Sequence, residues 1–287
     1  MAGTGQEHAD AGRVWLVTGA SRGLGLAVCE AALEAGDAVV ATARRPEAIE
    51  GLRGRYPQAT ATLPLDVVDP GDARKAVEES VTTFGRVDVV VNNAGYGHFG
   101  AIEELTDAEL REQFDVNLFG VLNVTRAALP QMRRQRSGHL VQMSSLNGVV
   151  GMMGGGYYVG SKFAVEGISE SLAQEVKHFG IKVTIVEPGP HRTEFAGNRS
   201  ARIAAPIDDY ADSVGKAWEL FAQLDGNQPG DPQRAARAIV HAVTSPKPPL
   251  RLPLGRMAIE EIRNKLDRQR EELDAWQEVA RSTDFVD

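Results

Sequence analysis

A glycine-rich turn between an apolar run and an alanine-rich run, close to the N-terminus, constrains the fold of this chain more than any other feature. The pattern predicts a strand over residues 14–18, a turn over 18–25 and a helix over 26–36. Glycines permit a tight turn and let the backbone approach a pyrophosphate, which then rests on the N-terminus of the helix. A glycine pattern alone is weak evidence, but the strand before it and the helix after it favour dinucleotide binding.

Apolar strand-like runs alternate with longer helical patterns through most of the chain, which is typical of βαβ units and a parallel sheet. Strands are predicted at residues 14–18, 38–43, 60–65, 87–91, 138–144, 182–187 and 250–254. Two long helices are predicted at residues 106–135 and 154–179. We therefore expect an α/β fold, a single-domain Rossmann-type doubly wound parallel sheet of about seven strands flanked by helices.

Three segments differ in composition. Residues 1–12 are small and polar, which predicts a disordered tail. Residues 13–255 form the predicted dinucleotide-binding domain, with a long irregular insert at about 189–230 that is typical of a substrate-binding loop. Residues 256–287 are highly charged and have helical periodicity, which predicts a helical extension. This extension either packs on the domain edge or on a partner subunit, or it is a solvated terminal helix.

The composition excludes several classes of function. The 287 residues include 43% apolar side chains, enough for one large core. A net charge of −8 argues against nucleic-acid binding, which needs clustered positive charge. The single cysteine, Cys29, excludes an internal disulfide and fits a reducing compartment. No apolar run approaches the ~20 residues of a membrane span, and residues 1–12 lack the apolar core of a signal peptide. We therefore expect a cytoplasmic protein without a membrane, nucleic-acid or metal partner.

Tyr158 and Lys162 are four residues apart, and Ser145 precedes the tyrosine by thirteen residues. A helix brings positions i and i+4 onto one face, so the lysine charge is expected to lower the phenol pKa from roughly 10. The phenol can then exchange a proton with a carbonyl oxygen, while the serine hydroxyl stabilises the charge that develops there. Tyr157 and Ser144 are adjacent alternatives, but only Tyr158 has the four-residue spacing to Lys162.

Four separated motifs follow one another in the chain: Thr18-Gly-x-x-x-Gly-x-Gly25, Asn92-Asn93-Ala94-Gly95, Asn117 in a long predicted helix, and Ser145 with Tyr158 and Lys162. Together they resemble the short-chain dehydrogenase/reductase family in its short, single-domain form, over roughly residues 14–243. The resemblance implies an oxidoreductase with Tyr158 as general acid/base, and it selects Ser145 over Ser144. It also implies that Lys162 hydrogen-bonds the nicotinamide ribose and that Asn117 holds a water linking the lysine to solvent.

The resemblance further implies a homodimer or homotetramer that is built mainly from the two long helices. Residues that could line this interface are Val116, Phe119, Val124, Phe163 and Leu172. The same residues could equally be core positions of helices that pack on the sheet.

The second predicted strand ends without an acidic residue, whereas a carboxylate there would bind the ribose hydroxyls of NAD and repel a 2′-phosphate. Arg44 and Arg45 follow this strand instead, and Arg22 lies in the glycine turn. Guanidinium groups bind phosphate through charge-assisted bonds, so we predict NADP(H) and favour Arg44 of the adjacent pair. The alternative is that Arg44 and Arg45 are ordinary surface charges. With the residues that the resemblance implies, the predicted cofactor site is Gly19, Ser21, Arg22, Gly23, Leu24, Gly25, Arg44, Asp66, Val67, Asn93, Ala94, Gly95, Tyr158, Lys162, Pro188, Gly189 and Thr193.

The substrate pocket is expected between the residues after the Asn-Asn-Ala-Gly motif, those after Ser145 and the insert after Pro188. Its predicted wall contains His98, Leu146, Met152, Tyr157 and Phe195, together with Tyr96, Phe99 and Met153. These mostly apolar and aromatic side chains predict a hydrophobic ketone or aldehyde that is interconverted with its alcohol. The alternatives are a hydroxysteroid- or retinoid-like alcohol dehydrogenase that works oxidatively, and a non-catalytic NADP-binding regulator.

Overall fold

The seven predicted strands form one parallel sheet in the structure, a computed structural model that describes residues 12–195, 200–223 and 225–285. Of the predicted tail, residues 1–11 lie outside the described residues. The sheet consists of β1 (Val14–Val17), β2 (Ala38–Ala43), β3 (Thr60–Pro64), β4 (Val89–Asn92), β6 (Gly138–Met143), β7 (Ile181–Pro188) and β9 (Arg251–Leu254). Its order is β3-β2-β1-β4-β6-β7-β9, with parallel pairing throughout. The predicted doubly wound α/β fold is therefore confirmed.

Helices cover both faces of this sheet. They are α1 (Gly23–Glu34), α2 (Glu50–Arg55), α3 (Pro70–Phe84), α4 (Asp107–Phe114), α5 (Val121–Gln135), α6 (Gly156–Val176), α7 (Lys216–Gln223), α8 (Pro232–Thr244) and α9 (Arg256–Arg281). Within the described ranges, none of them is long and apolar enough to cross a membrane. The predicted C-terminal extension forms α9, which is largely exposed and buries Ala258.

The central strands are apolar along their whole length because both of their faces are covered. In β1, Trp15 and Val17 pack in a cluster with α1 and α8. Leu16, which points to the opposite face, packs in a second cluster with α3 and α5. The two cores hold the carboxyl ends of β1, β4 and β6 at one edge of the sheet, where a doubly wound fold binds its ligand.

The first long predicted helix, residues 106–135, is divided in the structure. Thr106 starts α4 through a capping box with Glu109. A π-helical turn at Asp115–Gly120 then separates α4 from α5. Such turns are frequent at functional sites, and this one carries Asn117.

A second, two-stranded parallel sheet pairs β5 (Gly97–Phe99) with β8 (Ala201–Ile203). The sequence pattern does not predict these strands. Three residues are too short a pattern to recognise, and 104 residues separate His98 from its partner Arg202. The pairing ties the insert after β7 to the segment after β4.

Candidate active site

The glycine turn after β1 packs directly against the Asn-Asn-Ala-Gly segment after β4. Gly19 has a left-handed backbone (φ +64°), and a Cβ placed on it would lie 2.9 Å from the Cα of Ala94. A Cβ on Gly25 would collide with the Nδ2 atom of Asn93. That amide group donates hydrogen bonds to the backbone oxygens of Thr18 (2.9 Å) and Gly19 (3.1 Å). The glycine spacing is therefore a packing requirement of this contact.

Helix α1 begins at Gly23, and its N-terminus is suited to an anion. The first N–H groups of a helix lack intrahelical partners, and the helix dipole there favours negative charge. Arg22 occupies the N-cap position without a capping side-chain hydrogen bond, and the first turn contains no acidic residue. Ser21 and Leu24 belong to the same partly buried turn. These features fit the pyrophosphate of a nicotinamide dinucleotide.

The two arginines that are predicted to contact a 2′-phosphate lie in different surroundings. Arg44 is exposed directly after β2. The Nη2 atom of Arg22 donates to Ser200 Oγ (2.9 Å), and its Nη1 atom lies 4.0 Å from Glu194. Arg22 therefore links the glycine turn to the insert, whereas Arg44 is open to solvent beside the end of β2.

Asp66 and Val67 follow β3, the neighbour of β2. Because Ala43 pairs with Pro64, Asp66 lies at the strand end next to Arg44. Its Oδ1 atom accepts a hydrogen bond from Val68 N (3.1 Å), and the residue is exposed. Val67 is buried, and its backbone oxygen accepts a hydrogen bond from the Nδ2 atom of Asn123 in α5 (3.0 Å). The structure thus brings these two predicted cofactor residues to the same edge of the sheet as Arg44.

The segment after β7 reaches the glycine turn. The backbone N–H of Gly189, which follows Pro188, donates to Leu254 O (2.9 Å) and so fixes the end of β7 beside β9. Thr193 lies over the start of α1, where a Cβ placed on Gly23 would be 3.5 Å from the Cβ of Thr193. The segment after β7 and the glycine turn, both of which belong to the predicted cofactor site, are therefore neighbours.

Tyr158 lies in the first turn of α6 and is buried, with 7% of its surface exposed. Burial raises the pKa of Tyr158 to about 12, and hydrogen bonding with the Ser145 side chain opposes this effect. The Nζ atom of Lys162 lies 5.9 Å from the centre of the Tyr158 ring and donates to Met143 O (2.7 Å). Burial lowers the pKa of Lys162 to about 8, and the charge of Glu166 opposes that shift.

The expected lowering of the Tyr158 pKa by Lys162 is therefore wrong for this arrangement. Both groups are buried, so each is shifted towards its uncharged form, and the ammonium group is directed at a backbone oxygen. At neutral pH the phenol holds its proton, while the lysine, with a pKa of about 8, remains mostly charged. The site thus contains a proton donor next to a cation.

Asn117 connects the π turn to the same site. Its Nδ2 group donates to Tyr96 O (2.8 Å) and Ser161 Oγ (3.1 Å), and its Oδ1 atom accepts from Tyr96 N (3.1 Å). A Cβ placed on Gly95 would lie 3.1 Å from Asn117 Oδ1 and 3.7 Å from Lys162 Nζ. Asn117 thus has a structural role, in holding the segment after β4 against α6.

An aromatic and apolar cluster surrounds Tyr158. The ring centres of Phe99 and Phe195 each lie 5.5 Å from that of Tyr158. Met152 and Trp218 pack against the same cluster, and the rings of Phe99 and Trp218 are 4.7 Å apart. The structure therefore brings three of the predicted wall residues to Tyr158, namely Phe99, Met152 and Phe195.

Trp218, which belongs to α7 in the insert, is a wall residue that is not among those predicted from the sequence. Val214, Trp218 and Phe221 follow one another at spacings of four and three, which is the apolar face of a short helix. The ring of Phe221 lies 5.0 Å from that of Trp218. This spacing is a signal in the sequence, but it does not show which part of the protein the face contacts.

His98 does not join this cluster. It is 3% exposed, and its side chain points away from that of Phe99 because neighbours on a strand face opposite sides. Its Nδ1 atom lies 3.7 Å from Glu109 and its Nε2 atom lies 3.6 Å from Glu112. His98 therefore contacts α4 rather than the wall around Tyr158.

Three further predicted wall residues, Tyr157, Leu146 and Met153, do not belong to the cluster around Tyr158. The hydroxyl group of Tyr157 donates to Leu105 O (3.1 Å), in the segment before α4. Leu146 is buried in the short 3₁₀ turn that follows Ser145. Met153 is exposed. The polar group of Tyr157 is therefore bonded to the segment before α4.

Comparisons with known proteins agree with this geometry. The model of the short chain dehydrogenase family matches residues 13–204, and the chain therefore belongs to this family of oxidoreductases, which bind a nicotinamide cofactor. Oxidoreductase BOA17 of Botryotinia fuckeliana is 41% identical over 249 residues, which are 86% of this chain and 90% of that protein. The 3-ketodihydrosphingosine reductase of Bacteroides thetaiotaomicron is 38% identical over 244 residues, 85% of this chain and 88% of that protein. The crystal structure of a short-chain dehydrogenase from Streptomyces avermitilis is 45% identical, covers 95% of this chain and 100% of its own, and has a TM-score of 0.88.

Proposed function

We propose that the protein is an NADP(H)-dependent oxidoreductase that interconverts a hydrophobic ketone or aldehyde and its alcohol, with Tyr158 as general acid and base. The observation that carries this proposal is the position of Tyr158, whose ring contacts Phe99 and Phe195 while its hydroxyl group neighbours Ser145. An acid–base group inside an apolar wall can act on a carbonyl group whose other substituents are apolar.

Each polar residue of the site has a role in this reaction. A bound nicotinamide supplies the hydride in reduction and accepts it in oxidation. Tyr158 donates its proton to the carbonyl oxygen, a contribution that is typically roughly 10²–10⁴-fold. Ser145 donates a hydrogen bond to the same oxygen, where negative charge develops. Lys162 places a positive charge beside the phenolate that remains and binds the nicotinamide ribose, and Asn117 holds the water that links this lysine to solvent.

The wall supports an apolar substrate. Its aromatic rings and Met152 offer contact area and adaptable shape rather than fixed charges. One similar protein is named for the reduction of a keto compound, 3-ketodihydrosphingosine. We therefore favour ketones and aldehydes with an apolar chain or ring over charged keto acids.

The preference for NADP(H) rests on the end of β2. This strand ends at Ala43, and Arg44 follows it as an exposed cation where NAD-binding proteins of this fold have a carboxylate. Arg22 is the second candidate for the 2′-phosphate, although in the structure its Nη2 atom donates to Ser200. NADP preference in turn favours the reducing direction.

An oxidative role, on a hydroxysteroid- or retinoid-like alcohol, uses the same residues in reverse and remains the second candidate. A non-catalytic regulator is disfavoured because Ser145, Tyr158 and Lys162 are all present and close together. We also propose a cytoplasmic homodimer or homotetramer. The buried free thiol of Cys29 fits a reducing compartment, and exposed Phe119 and Phe163 suit an interface.

The first test is NADPH oxidation with a panel of long-chain, cyclic and aromatic ketones and aldehydes, with charged keto acids as the contrast. Tyr158→Phe should lower turnover by at least about 10²-fold, because it removes the proton donor. NADPH binding, followed by nucleotide fluorescence, should persist in the variant. Equal turnover by the two proteins would contradict the role of Tyr158, and faster turnover of keto acids would contradict the substrate class. Reduction of NADP⁺ by the matching alcohols measures the oxidative direction.

A further inference from the structure

A cluster of charged and polar side chains lies between α4 and the small sheet formed by β5 and β8. His98 of β5 pairs directly with Arg202 of β8, and the His98 Nε2 and Arg202 Nη1 atoms are 3.5 Å apart. The same Nη1 atom lies 2.9 Å from each carboxylate oxygen of Glu112, in α4. Arg202 and Glu112 have no part in the cofactor or wall contacts described above, so their role is still to be assigned.

The ion pair between Arg202 and Glu112 belongs to a network of contacts. Its side chains are 49% and 52% exposed, and an isolated pair with this exposure contributes little to stability. Here the guanidinium carbon also lies 4.6 Å from the centre of the Tyr96 ring, which attracts a cation. The Nε2 atom of buried His98 lies 3.6 Å from Glu112 Oε2. The network therefore joins three separate segments of the chain: α4, the segment after β4, and the insert.

The strand pair beneath this network needs support from side chains. Both β5 and β8 contain three residues, and a two-stranded pair is marginally stable by itself. Its ends are closed by backbone hydrogen bonds from Gly97 N to Ser200 O (2.9 Å) and from Ala204 N to Phe99 O (2.8 Å). Opposed side chains stabilise such a pair, so we expect the contacts of Arg202 to contribute to the attachment of the insert.

The opposite face of the same two strands forms part of the wall around Tyr158. Phe99 of β5 and Ala201 of β8 are buried in one cluster with Tyr158. Trp218, which follows β8 in the insert, packs against Phe99 with 4.7 Å between the ring centres. A displacement of β8 from β5 would therefore move the wall relative to Tyr158.

We propose that Glu112 and Arg202 are positioning residues that hold β8 against β5 and so set the width of the substrate pocket. They act through the wall rather than on the reacting groups. The insert has a second attachment, in which Glu104 accepts a hydrogen bond from Ile207 N (2.9 Å), so loss of the ion pair loosens the wall without detaching the insert. The inference rests on the proposed function, in which a bulky apolar ketone or aldehyde binds at this wall.

Reversal of one charge should loosen the wall, and reversal of both should restore it. Glu112→Arg and Arg202→Glu each place like charges side by side, whereas the double variant recreates an ion pair. In each single variant, KM for the bulkiest ketone that the native protein turns over should rise about fivefold, which corresponds to about 1 kcal/mol. The kcat value and the KM for the smallest ketone should change less than about twofold. The double variant should recover most of the lost affinity.

Tryptophan fluorescence reports the position of the wall without any turnover. Of the three tryptophans, Trp15 is fully buried and Trp276 is 66% exposed. In a Trp276→Phe background, quenching by acrylamide therefore measures mainly the access to Trp218. Quenching should increase and the emission should shift to longer wavelengths in each single variant, and both should return to the native values in the double variant.

The conditions and controls isolate the ion pair. Measurement at about pH 8 keeps His98 uncharged, because burial lowers its pKa. Arg111→Gln is the matched control, since Arg111 is the neighbour of Glu112 on α4 and is exposed. Circular dichroism verifies that each variant folds. If a charge reversal prevents folding, Arg202→Gln takes its place and should change KM and quenching in the same direction by a smaller factor.

Unchanged quenching and KM in folded single variants, or losses that simply add in the double variant, would overturn the proposal. The same changes in Arg111→Gln would indicate a general charge effect and would also contradict it. Quenching that is raised in the single variants and restored in the double variant, without turnover of any carbonyl compound, would support the positioning pair and contradict the carbonyl reductase. Turnover with native quenching and KM in every variant would support the reductase and contradict the pair.

Discussion

Tyr158 and Lys162 show how the surroundings of a single residue set its chemistry. Burial raises the pKa of Tyr158 to about 12 and lowers that of Lys162 to about 8. Desolvation is the largest cause of both shifts, and the ammonium group of Lys162 donates to Met143 O. A phenol that keeps its proton at neutral pH is suited to donate it to a carbonyl oxygen, which agrees with the reducing direction.

In the proposed function, Arg44 is the residue on which we expect cofactor preference to depend most. Arg44→Ala should lower the preference for NADPH over NADH by about 10- to 100-fold, because a hydrogen bond between charged groups contributes about 1.5–3 kcal/mol. The KM for NADPH should rise, while the KM for NADH remains nearly constant. Arg45→Ala is the matched control, since Arg45 is the next residue and is also exposed. Equal losses in the two variants would indicate a general charge effect and contradict a specific contact.

The segment from α4 to α5 shows how one element positions a side chain at the candidate site. The capping box at Thr106 defines the start of α4, and the π turn at Asp115–Gly120 changes the direction in which the following side chains point. Asn117 can then contact Tyr96 and Ser161 at once. The same element also carries Glu112, which is bonded to Arg202 of β8 and so holds the insert.

Thr106→Ala should lower the free energy of unfolding by about 1 kcal/mol, because the N-cap hydroxyl accepts a hydrogen bond from the Glu109 N–H. Urea denaturation of the purified protein measures this change. Thr82→Ala, at an exposed position inside α3, is the control and should cost little or nothing, because alanine favours a helix interior. A comparable loss in both variants would mean that the cap is not the source of the effect.

At the scale of the whole molecule, exposed apolar side chains lie on α6 and on the segment that leads into α5. Phe119 is 51% exposed and Phe163 is 44% exposed, whereas Val124 and Leu172 belong to the core beneath the sheet. A surface groove runs between α5 and α6, with Leu129, Ile168 and Ser171 among its lining residues. The residues predicted to line an interface therefore fall into two groups. Phe119 and Phe163 are exposed and available to a partner, whereas Val124 and Leu172 are buried in the core of the chain.

Phe163→Lys should convert the proposed oligomer largely to monomer at micromolar concentration, because a buried unpaired charge is costly at an apolar interface. Light scattering coupled to size-exclusion chromatography measures the mass. Leu273→Lys, on exposed α9, is the comparison variant. Dissociation by Leu273→Lys alone would place the interface on the C-terminal helix, and a monomeric native protein would remove the oligomer proposal.

The strands and the shared helix face of Tyr158 and Lys162 could be predicted from the sequence because both are local properties. Strands that are buried on both faces are continuous apolar runs, and Tyr158 and Lys162 share a helix face through their spacing alone. The glycines at positions 19 and 25 are also visible in the sequence, but the contact with the Asn93–Ala94 segment that requires them is seen only in the structure. For the strands and the helix face, residue type and spacing carry the whole signal.

The residues that surround Tyr158 and the pKa shifts at the site depend on the tertiary structure and could not be predicted from the sequence. Trp218 reaches Phe99 because the insert folds back through the β5–β8 pairing, a contact between segments far apart in the chain. His98 is not part of the wall, because side chains alternate along its three-residue strand and that of His98 faces α4. The direction of the Tyr158 pKa shift depends on burial, which no spacing reveals. Residue types and local periodicity thus determine the fold and the residues proposed to react, whereas long-range packing and desolvation determine the shape and charge of the candidate site.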